Sequence, residues 1–251
     1  LDGLMKLDAS LVQRVNDLRA ALAELDALNA GTGQFSGRIN GAQVGLMGRS
    51  FGGATTLAGL MLEKRFMAGM AVVPPSFPDV RPHLPPQTLR PETEDSVILS
   101  ASSAYSLGKI YKPTLLLSGG EDALIMGMSQ LMASTVGSPP PATDNRHPML
   151  KHAFEETSAP ALFGVLDKAN HASLGVSAPY WWPQLKPNSF PQFFAPDDNY
   201  TLIDTNLAHK IQKEKALAFF DYFVKGDESS KASLESNEYS DRGLQWDYRN
   251  F

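Results

Sequence analysis

A serine flanked by glycines, placed between a predicted strand and a predicted helix, constrains this chain more than any other feature. Residues 48–52 read GRSFG, an apolar run at 44–47 precedes them, and a helix-like stretch at 53–64 follows. A chain that turns from strand to helix in so few residues strains its backbone, and the turn exposes the central side chain above the sheet edge. Gly48 and Gly52 are expected to remove Cβ atoms that would collide in this turn. The pattern therefore predicts that Ser50 is a nucleophile.

A nucleophilic serine needs two further residues in the same chain. A base must remove its proton, and an acid must orient that base. When each of the three follows a successive strand of one parallel sheet, they occur in the order serine, acid, histidine. Ser50, Asp122 and His171 satisfy this order and are the predicted catalytic residues. The helix that begins after Ser50 directs its N–H groups toward the developing negative charge, so the Phe51 N–H is the predicted oxyanion donor.

The acid and the base have alternative interpretations. Glu121 is a substitute for Asp122 as the acid, and Asp122 could instead cap a helix that begins near Ala123. A single histidine is commonly a hydrogen-bonded structural residue. The position of His171 shortly after a predicted strand, among small residues, favours the catalytic role.

The apolar pattern predicts one α/β domain over residues 1–251. Strands are predicted at 44–47, 67–73, 114–118 and 161–166, and helices at 9–28, 53–64, after residue 123 and at 205–225. Continuous apolar strands separated by helices indicate a mostly parallel sheet with helices on both faces. Segments rich in proline or aromatic residues, at about 74–105 and 172–202, are predicted to form lid-like loops. The polar tail from Asp227 is expected to be loosely attached, with docking of Leu244, Trp246 and Phe251 as the alternative.

Composition excludes several other classes of function. The net charge of −5 and the isoelectric point near 5.5 make nucleic acid an unexpected partner. The chain has no cysteine, which excludes disulfides, thiolate catalysis and zinc–thiolate sites. A neutral substrate is easier to accommodate.

The oxyanion site predicted from the sequence is incomplete. Its second N–H donor normally comes from a loop after an earlier strand, and only one predicted helix precedes the strand at 44–47. We expect the opening strands and the second donor to come from another chain or fragment, or from a segment outside this one.

Three motifs resemble known esterase families. The stretch MGRSFGGAT at 47–55, with Arg65-Phe66 and the strand after them, resembles the platelet-activating factor acetylhydrolases of the α/β-hydrolase superfamily. The stretches PTLLLSGGED at 113–122 and KANHA at 168–172 are similar to bacterial cutinases and dienelactone hydrolase relatives. The resemblance implies an α/β-hydrolase fold and a carboxylic ester hydrolase that acts on small-molecule or lipid-like esters. It also implies Ser50 as nucleophile, His171 as base and Asp122 as acid, with no cofactor and no metal.

The chain departs from these families at two positions. Arg49 stands where they often have histidine, and the acetylhydrolase acid would fall at Val73, which cannot serve as an acid. The acetylhydrolase substrate therefore does not carry over. Arg49, Trp181 and Trp182 are the predicted substrate contacts.

Other functions remain compatible with the same residues. The catalytic group could cleave amides or transfer the acyl group to an acceptor other than water. A hydrolase-fold binding module without turnover is the alternative from a different class.

Overall fold

The computed structural model of the protein describes residues 2–75, 110–122, 125, 146–175 and 202–251. Most of the two predicted lid-like loops, Trp181 and Trp182 within the second, and the helix predicted after residue 123 lie outside these residues. Five strands and five α-helices are described. The strands are β1 (Val44–Arg49), β2 (Phe66–Val72), β3 (Thr114–Gly119), β4 (Ala161–Leu166) and β5 (Leu244–Arg249). The helices are α1 (Asp2–Ala30), α2 (Phe51–Leu62), α3 (Pro148–Glu156), α4 (Thr205–Phe220) and α5 (Lys231–Glu235).

The strands form one sheet in the order β1-β2-β3-β4-β5. The first four run parallel, and β5 pairs antiparallel with β4. Parallel neighbours need a long crossover, which the chain supplies between β1 and β2 as α2. The carboxyl ends of β1 to β4 therefore lie along the same edge of the sheet, where the predicted site residues follow.

Two apolar cores cover the two faces of the sheet. Helices α1, α2 and α3 lie over one face, where their side chains pack on Leu116, Phe163 and Val165. Helix α4 and the C-terminal segment lie over the other, against Leu115 and Leu162. Alternate residues of β3 and β4 thus enter opposite cores, as the two-residue period of a strand requires. The predicted α/β fold class, with helices on both faces of a mostly parallel sheet, is confirmed.

Element boundaries differ from the sequence predictions by a few residues, and the helices α3 and α5 were not predicted. The π-helical turn Asp221–Lys225 continues α4, and Gly226 ends it with a φ of 75°, as expected of a helix-capping glycine. Helix α3 begins where a polar, proline-containing stretch of the chain ends. Its first residue is Pro148, and proline is favoured at the first position of a helix because its missing N–H has no intrahelical partner there. In the part of the chain that the structure describes, no helix is long and apolar enough to cross a membrane.

The prediction of a loosely attached tail is wrong, and the alternative, that Leu244, Trp246 and Phe251 dock, is confirmed. The segment after Asp227 forms α5 and β5, and β5 extends the sheet beside β4. Leu244 and Trp246 are buried on the same face of β5, where the Trp246 Nε1–H donates to the carbonyl oxygen of Leu234. The alternation of apolar and polar residues in LQWDYR is typical of a half-buried strand, so the tail is polar overall but still packs.

A buried lysine holds this tail on α4. The Lys215 side chain is fully enclosed, and its Nζ donates to the carbonyl oxygens of Ser233 and Ser236 and lies 3.2 Å from Glu238 Oε2. The same ammonium lies 4.9 Å from the centre of the Trp246 ring, within the range of a cation–π contact. Burial lowers the pKa of Lys215, and Glu238 opposes that effect. The cation therefore satisfies backbone carbonyls that α5 and the turn after it leave open.

We expect Lys215→Met to lower the free energy of unfolding by about 3 kcal/mol, because the carbonyl oxygens of Ser233 and Ser236 and the Glu238 carboxylate would lose the buried ammonium that binds them. Urea unfolding at pH 7 measures the change. Lys213→Met, on the exposed side of the same helix, is the matched control and should unfold within about 0.5 kcal/mol of the original protein. Equal unfolding midpoints for the two variants would contradict this role for Lys215.

Candidate active site

Ser50 lies at the turn between β1 and α2 in a strained backbone conformation. Its φ is 56° and its ψ is −125°, values that a residue with a side chain rarely adopts. Three backbone hydrogen bonds hold it there. The Ser50 N–H donates to Val72 at 2.8 Å, and the Ser50 carbonyl accepts from Gly53 and Ala54 at the start of α2.

The Ser50 hydroxyl does not cap the helix that follows it. Serine at this position usually accepts a hydrogen bond from an N–H in the first turn, yet Ser50 makes no such bond. Phe51, the first residue of α2, carries an N–H that the helix itself leaves open. Both groups lie at the carboxyl end of β1.

The two glycines of the turn are not equivalent. A Cβ on Gly48 would lie 2.1 Å from the carbonyl oxygen of Gly52 and 2.3 Å from its carbon, a backbone clash. A Cβ on Gly52 would meet no atom of the described chain within 4 Å. The expectation that both glycines avoid a collision therefore holds for Gly48 and is wrong for Gly52.

Asp122 lies in a tight turn after β3. Its N–H donates to the Gly119 carbonyl, and its Oδ1 accepts from the Ile125 N–H. The residue is 2% exposed, so its carboxylate is removed from water and held by defined donors. The second carboxylate oxygen, Oδ2, lies 2.8 Å from His171 Nδ1.

His171 lies in a loop after β4 that is closed by an asparagine. The Oδ1 of Asn170 accepts from the N–H groups of Ala172 and Ser173 and from the Ser173 hydroxyl. Asparagine stabilises turns through such bonds to the backbone that follows it. Asn170 was not among the predicted site residues, although an asparagine directly before a candidate histidine, followed by small residues, is a turn signal.

The turns after β3 and β4 are joined by their backbones. The N–H groups of Gly120 and Glu121 donate to the carbonyls of Leu166 and Ala169, both at 2.9 Å. A Cβ on Gly119 would lie only 2.3 Å from the Ala169 oxygen, so this approach requires glycine. The contact between Asp122 and His171 thus follows from the way the two turns pack.

The structure brings together some of the predicted site residues and not others. Asp122 and His171 are in direct contact, and Ser50 and Phe51 lie at the same sheet edge. Between the described residues Ser50 and His171 there is no hydrogen bond. Catalytic hydrogen bonds are often long in unliganded enzymes and shorten when substrate binds, so this geometry does not argue against a proton path.

Arg49, predicted as a substrate contact, is directed at the loop after β4 that carries His171. Its Nη2 donates a hydrogen bond to the carbonyl oxygen of His171. Burial lowers the pKa of Arg49, and the Asp122 carboxylate opposes that effect by raising it. Sequence reasoning missed this contact because it joins residues far apart in the chain.

Two further titratable groups, His147 and Glu121, lie near Asp122. Burial lowers the pKa of His147 from 6.5 to about 4, with Asp122 acting in the opposite direction, so His147 is neutral at pH 7. Burial raises the pKa of Glu121, and the nearby Asp167 raises it further. Of the two acids that the sequence offered, Asp122 is the one in contact with His171. No group of three or more histidine, aspartate or glutamate residues within the described ranges is arranged to hold a metal ion.

Part of the chain matches a known protein family. Residues 9–91 match the model of the platelet-activating factor acetylhydrolase, isoform II, family. The resemblance read from the sequence is confirmed there. The match covers about a third of the chain, including Arg49, Ser50 and Phe51 but neither Asp122 nor His171. It supports a hydrolase of the lipase or esterase type in the α/β-hydrolase superfamily, and the sheet is consistent with that fold. No curated protein matches the chain.

We expect Gly48→Ala to lower the free energy of unfolding by about 3 kcal/mol or more, because the new methyl group must displace backbone. Gly52→Ala is the matched control. Since alanine is favoured over glycine in a helix, it should leave the unfolding midpoint unchanged or raise it slightly. Thermal unfolding of both variants measures this difference, and a Gly48→Ala protein as stable as Gly52→Ala would refute the described turn.

Proposed function

We propose that the protein is a serine hydrolase that cleaves carboxylic esters through an acyl-enzyme intermediate, with Ser50, His171 and Asp122 as its catalytic triad. The observation that carries this proposal is the 2.8 Å contact between Asp122 Oδ2 and His171 Nδ1, at the sheet edge where the strained Ser50 follows β1. An acid bound to one imidazole nitrogen leaves the other, Nε2, to accept the serine proton.

The reaction would proceed in two halves. The Ser50 Oγ attacks the ester carbonyl carbon while His171 Nε2 takes the hydroxyl proton, and the Phe51 N–H stabilises the oxyanion that forms. Collapse of this intermediate breaks the ester C–O bond, and the imidazolium returns the proton to the departing alcohol. A water molecule then attacks the acyl-enzyme by the same path, which releases the acid and restores Ser50.

Two local features support the role of Ser50. Its hydroxyl is not used to cap α2, so it remains available for chemistry. Strained residues such as this one cluster at active sites, where the surrounding structure maintains them. The family match over the same residues supports ester substrates of the small-molecule or lipid-like kind. Because Val73 is buried and carries no acid, the acetylhydrolase's own substrate is not part of the proposal.

A fluorophosphonate probe tests the nucleophile. We expect the protein to be labelled at Ser50 and to hydrolyse p-nitrophenyl acetate, and we expect Ser50→Ala to abolish labelling and to lower kcat by about 10⁴-fold or more. Labelling of Ser50→Ala equal to that of the original protein would contradict the proposal. No labelling of the original protein would favour a binding module without turnover.

Two variants test which carboxylate is the acid of the triad. Asp122→Asn should lower kcat by about 10³- to 10⁴-fold, because an asparagine cannot hold the imidazole in the required tautomer. Glu121→Gln, the adjacent control, should retain kcat within about threefold, since Glu121 makes no contact with the imidazole in the described structure. The reverse ranking would identify Glu121 as the acid.

We also propose that a second polypeptide adds strands to β1 and supplies the second oxyanion donor. Within the described residues β1 pairs with β2 alone, and Met47 on β1 is 42% exposed, whereas every residue of β3 and β4 is buried. An apolar strand with an unpaired edge is prone to pair with another chain. A strand from such a partner would cover that edge.

Native mass spectrometry of the protein purified from its own source tests this partner. We expect a complex that denaturation separates into two different polypeptides, one of which contains this chain. A mass of one chain would refute the partner, and a mass of two identical chains would show that a second copy covers the edge instead.

A further inference from the structure

Arg49 links the strand that carries Ser50 to the loop that carries His171. It is the last residue of β1, and its Nη2 donates to the carbonyl oxygen of His171. Its guanidinium also packs on the end of that loop, since a Cβ on Gly175 would lie 3.4 Å from both Cζ and Nε of Arg49. The side chain therefore contacts the base loop at two points.

This contact spans a large part of the sheet. Strands β2 and β3 lie between β1 and β4, and parallel strands are about 4.8 Å apart, so the backbones of β1 and β4 are separated by about 14 Å. The loop after β4 must extend back toward β1 for an arginine side chain to reach the His171 carbonyl. Arg49 binds the loop in that position.

The Arg49 guanidinium has no carboxylate as an ion-pair partner among the described residues. In the described portion of the chain it forms no salt bridge, and its buried Nε has no hydrogen-bond partner. Partial burial of a cation costs free energy unless well-placed contacts offset it. In the described ranges, the polar contact that offsets this cost is the hydrogen bond to the His171 carbonyl, and the nearby Asp122 carboxylate acts on Arg49 electrostatically.

We propose that Arg49 is a positioning residue that holds the His171 loop against the nucleophile strand, which keeps the imidazole within reach of the Ser50 hydroxyl. This inference rests on the function proposed above and goes beyond it, because it assigns to Arg49 a role exerted through His171. A substrate contact, the role predicted from the sequence, would act on binding instead.

The two roles differ in their kinetics. Loss of a positioning residue lowers kcat, whereas loss of a substrate contact raises KM. We expect Arg49→Met to lower kcat for p-nitrophenyl acetate by about 10- to 100-fold, since a small displacement of a catalytic group has an effect of that size, and to change KM by less than about twofold. Arg49→Lys, which retains a charged donor, should recover most of the lost kcat. A loss that falls mainly on KM would overturn the proposal.

A double-mutant cycle separates positioning from a general structural role. His171→Ala should be slow, and adding Arg49→Met to it should cause little further loss, because the group that Arg49 positions is already absent. A loss of the same fold-change in both backgrounds would show that Arg49 does not act through His171. Arg38→Met, a change of the same type at an exposed position, is the control and should leave kcat unchanged.

Failure of the positioning role can be distinguished from failure of the proposed function. If the original protein neither turns over ester nor reacts with the fluorophosphonate, the proposed function fails and the role of Arg49 in it fails too. If the original protein is active and Arg49→Met retains full kcat, only the positioning role fails. Should Arg49→Met not fold, Arg49→Gln takes its place, because it removes the charge but keeps a polar side chain. It should lower kcat severalfold with KM unchanged, and full kcat in that variant would contradict the proposal.

Discussion

The close packing of the turn after β3 on the turn after β4 is the constraint on which the candidate site depends. Gly119 lies against the Ala169 carbonyl at a distance that no side chain permits, and backbone hydrogen bonds join the turns on both sides of this contact. Asp122 and His171 therefore meet with most of their conformational freedom already lost. In the proposed hydrolase, an acid–base pair fixed in this way would not have to be ordered again during each reaction, which is how preorganised groups contribute to catalysis.

Tertiary contacts also hold the C-terminal segment in place. The Lys215 ammonium binds the carbonyls of Ser233 in α5 and Ser236 in the turn after it, and this holds against α4 the segment that leads into β5. Strand β5 in turn covers the outer edge of β4, and the Gly243 carbonyl accepts a hydrogen bond from the Asp167 N–H at the start of the base loop. The tail thus contributes to the framework from which His171 is presented.

Local sequence signals predicted the four parallel strands and the residues that follow them, because continuous apolar runs and the glycine-serine pattern are local properties. The features that escaped prediction depend on tertiary contacts. A lysine within a helix normally faces water, so no local sequence feature predicts the burial of Lys215. The direction of the Arg49 side chain depends on a loop about 120 residues later in the chain. Strand β5 did carry a local signal, its alternating pattern, but the polar residues around it concealed that signal.

Backbone strain is concentrated at the sheet edge where the site residues lie. Ser50, Val73 and Lys168 follow the carboxyl ends of β1, β2 and β4, and each has a positive φ, at 56°, 41° and 58°. Such conformations cost about 1–3 kcal/mol each, and a β-branched residue such as Val73 adopts them least readily. Each is held by a hydrogen bond to a neighbouring segment: the Ser50 and Val73 N–H groups donate to Val72 and Leu117, and the Lys168 carbonyl accepts from Ile203. Because a strained turn persists only where its neighbours hold it, the sheet that gives the fold its stability also maintains the geometry of the turn that exposes Ser50.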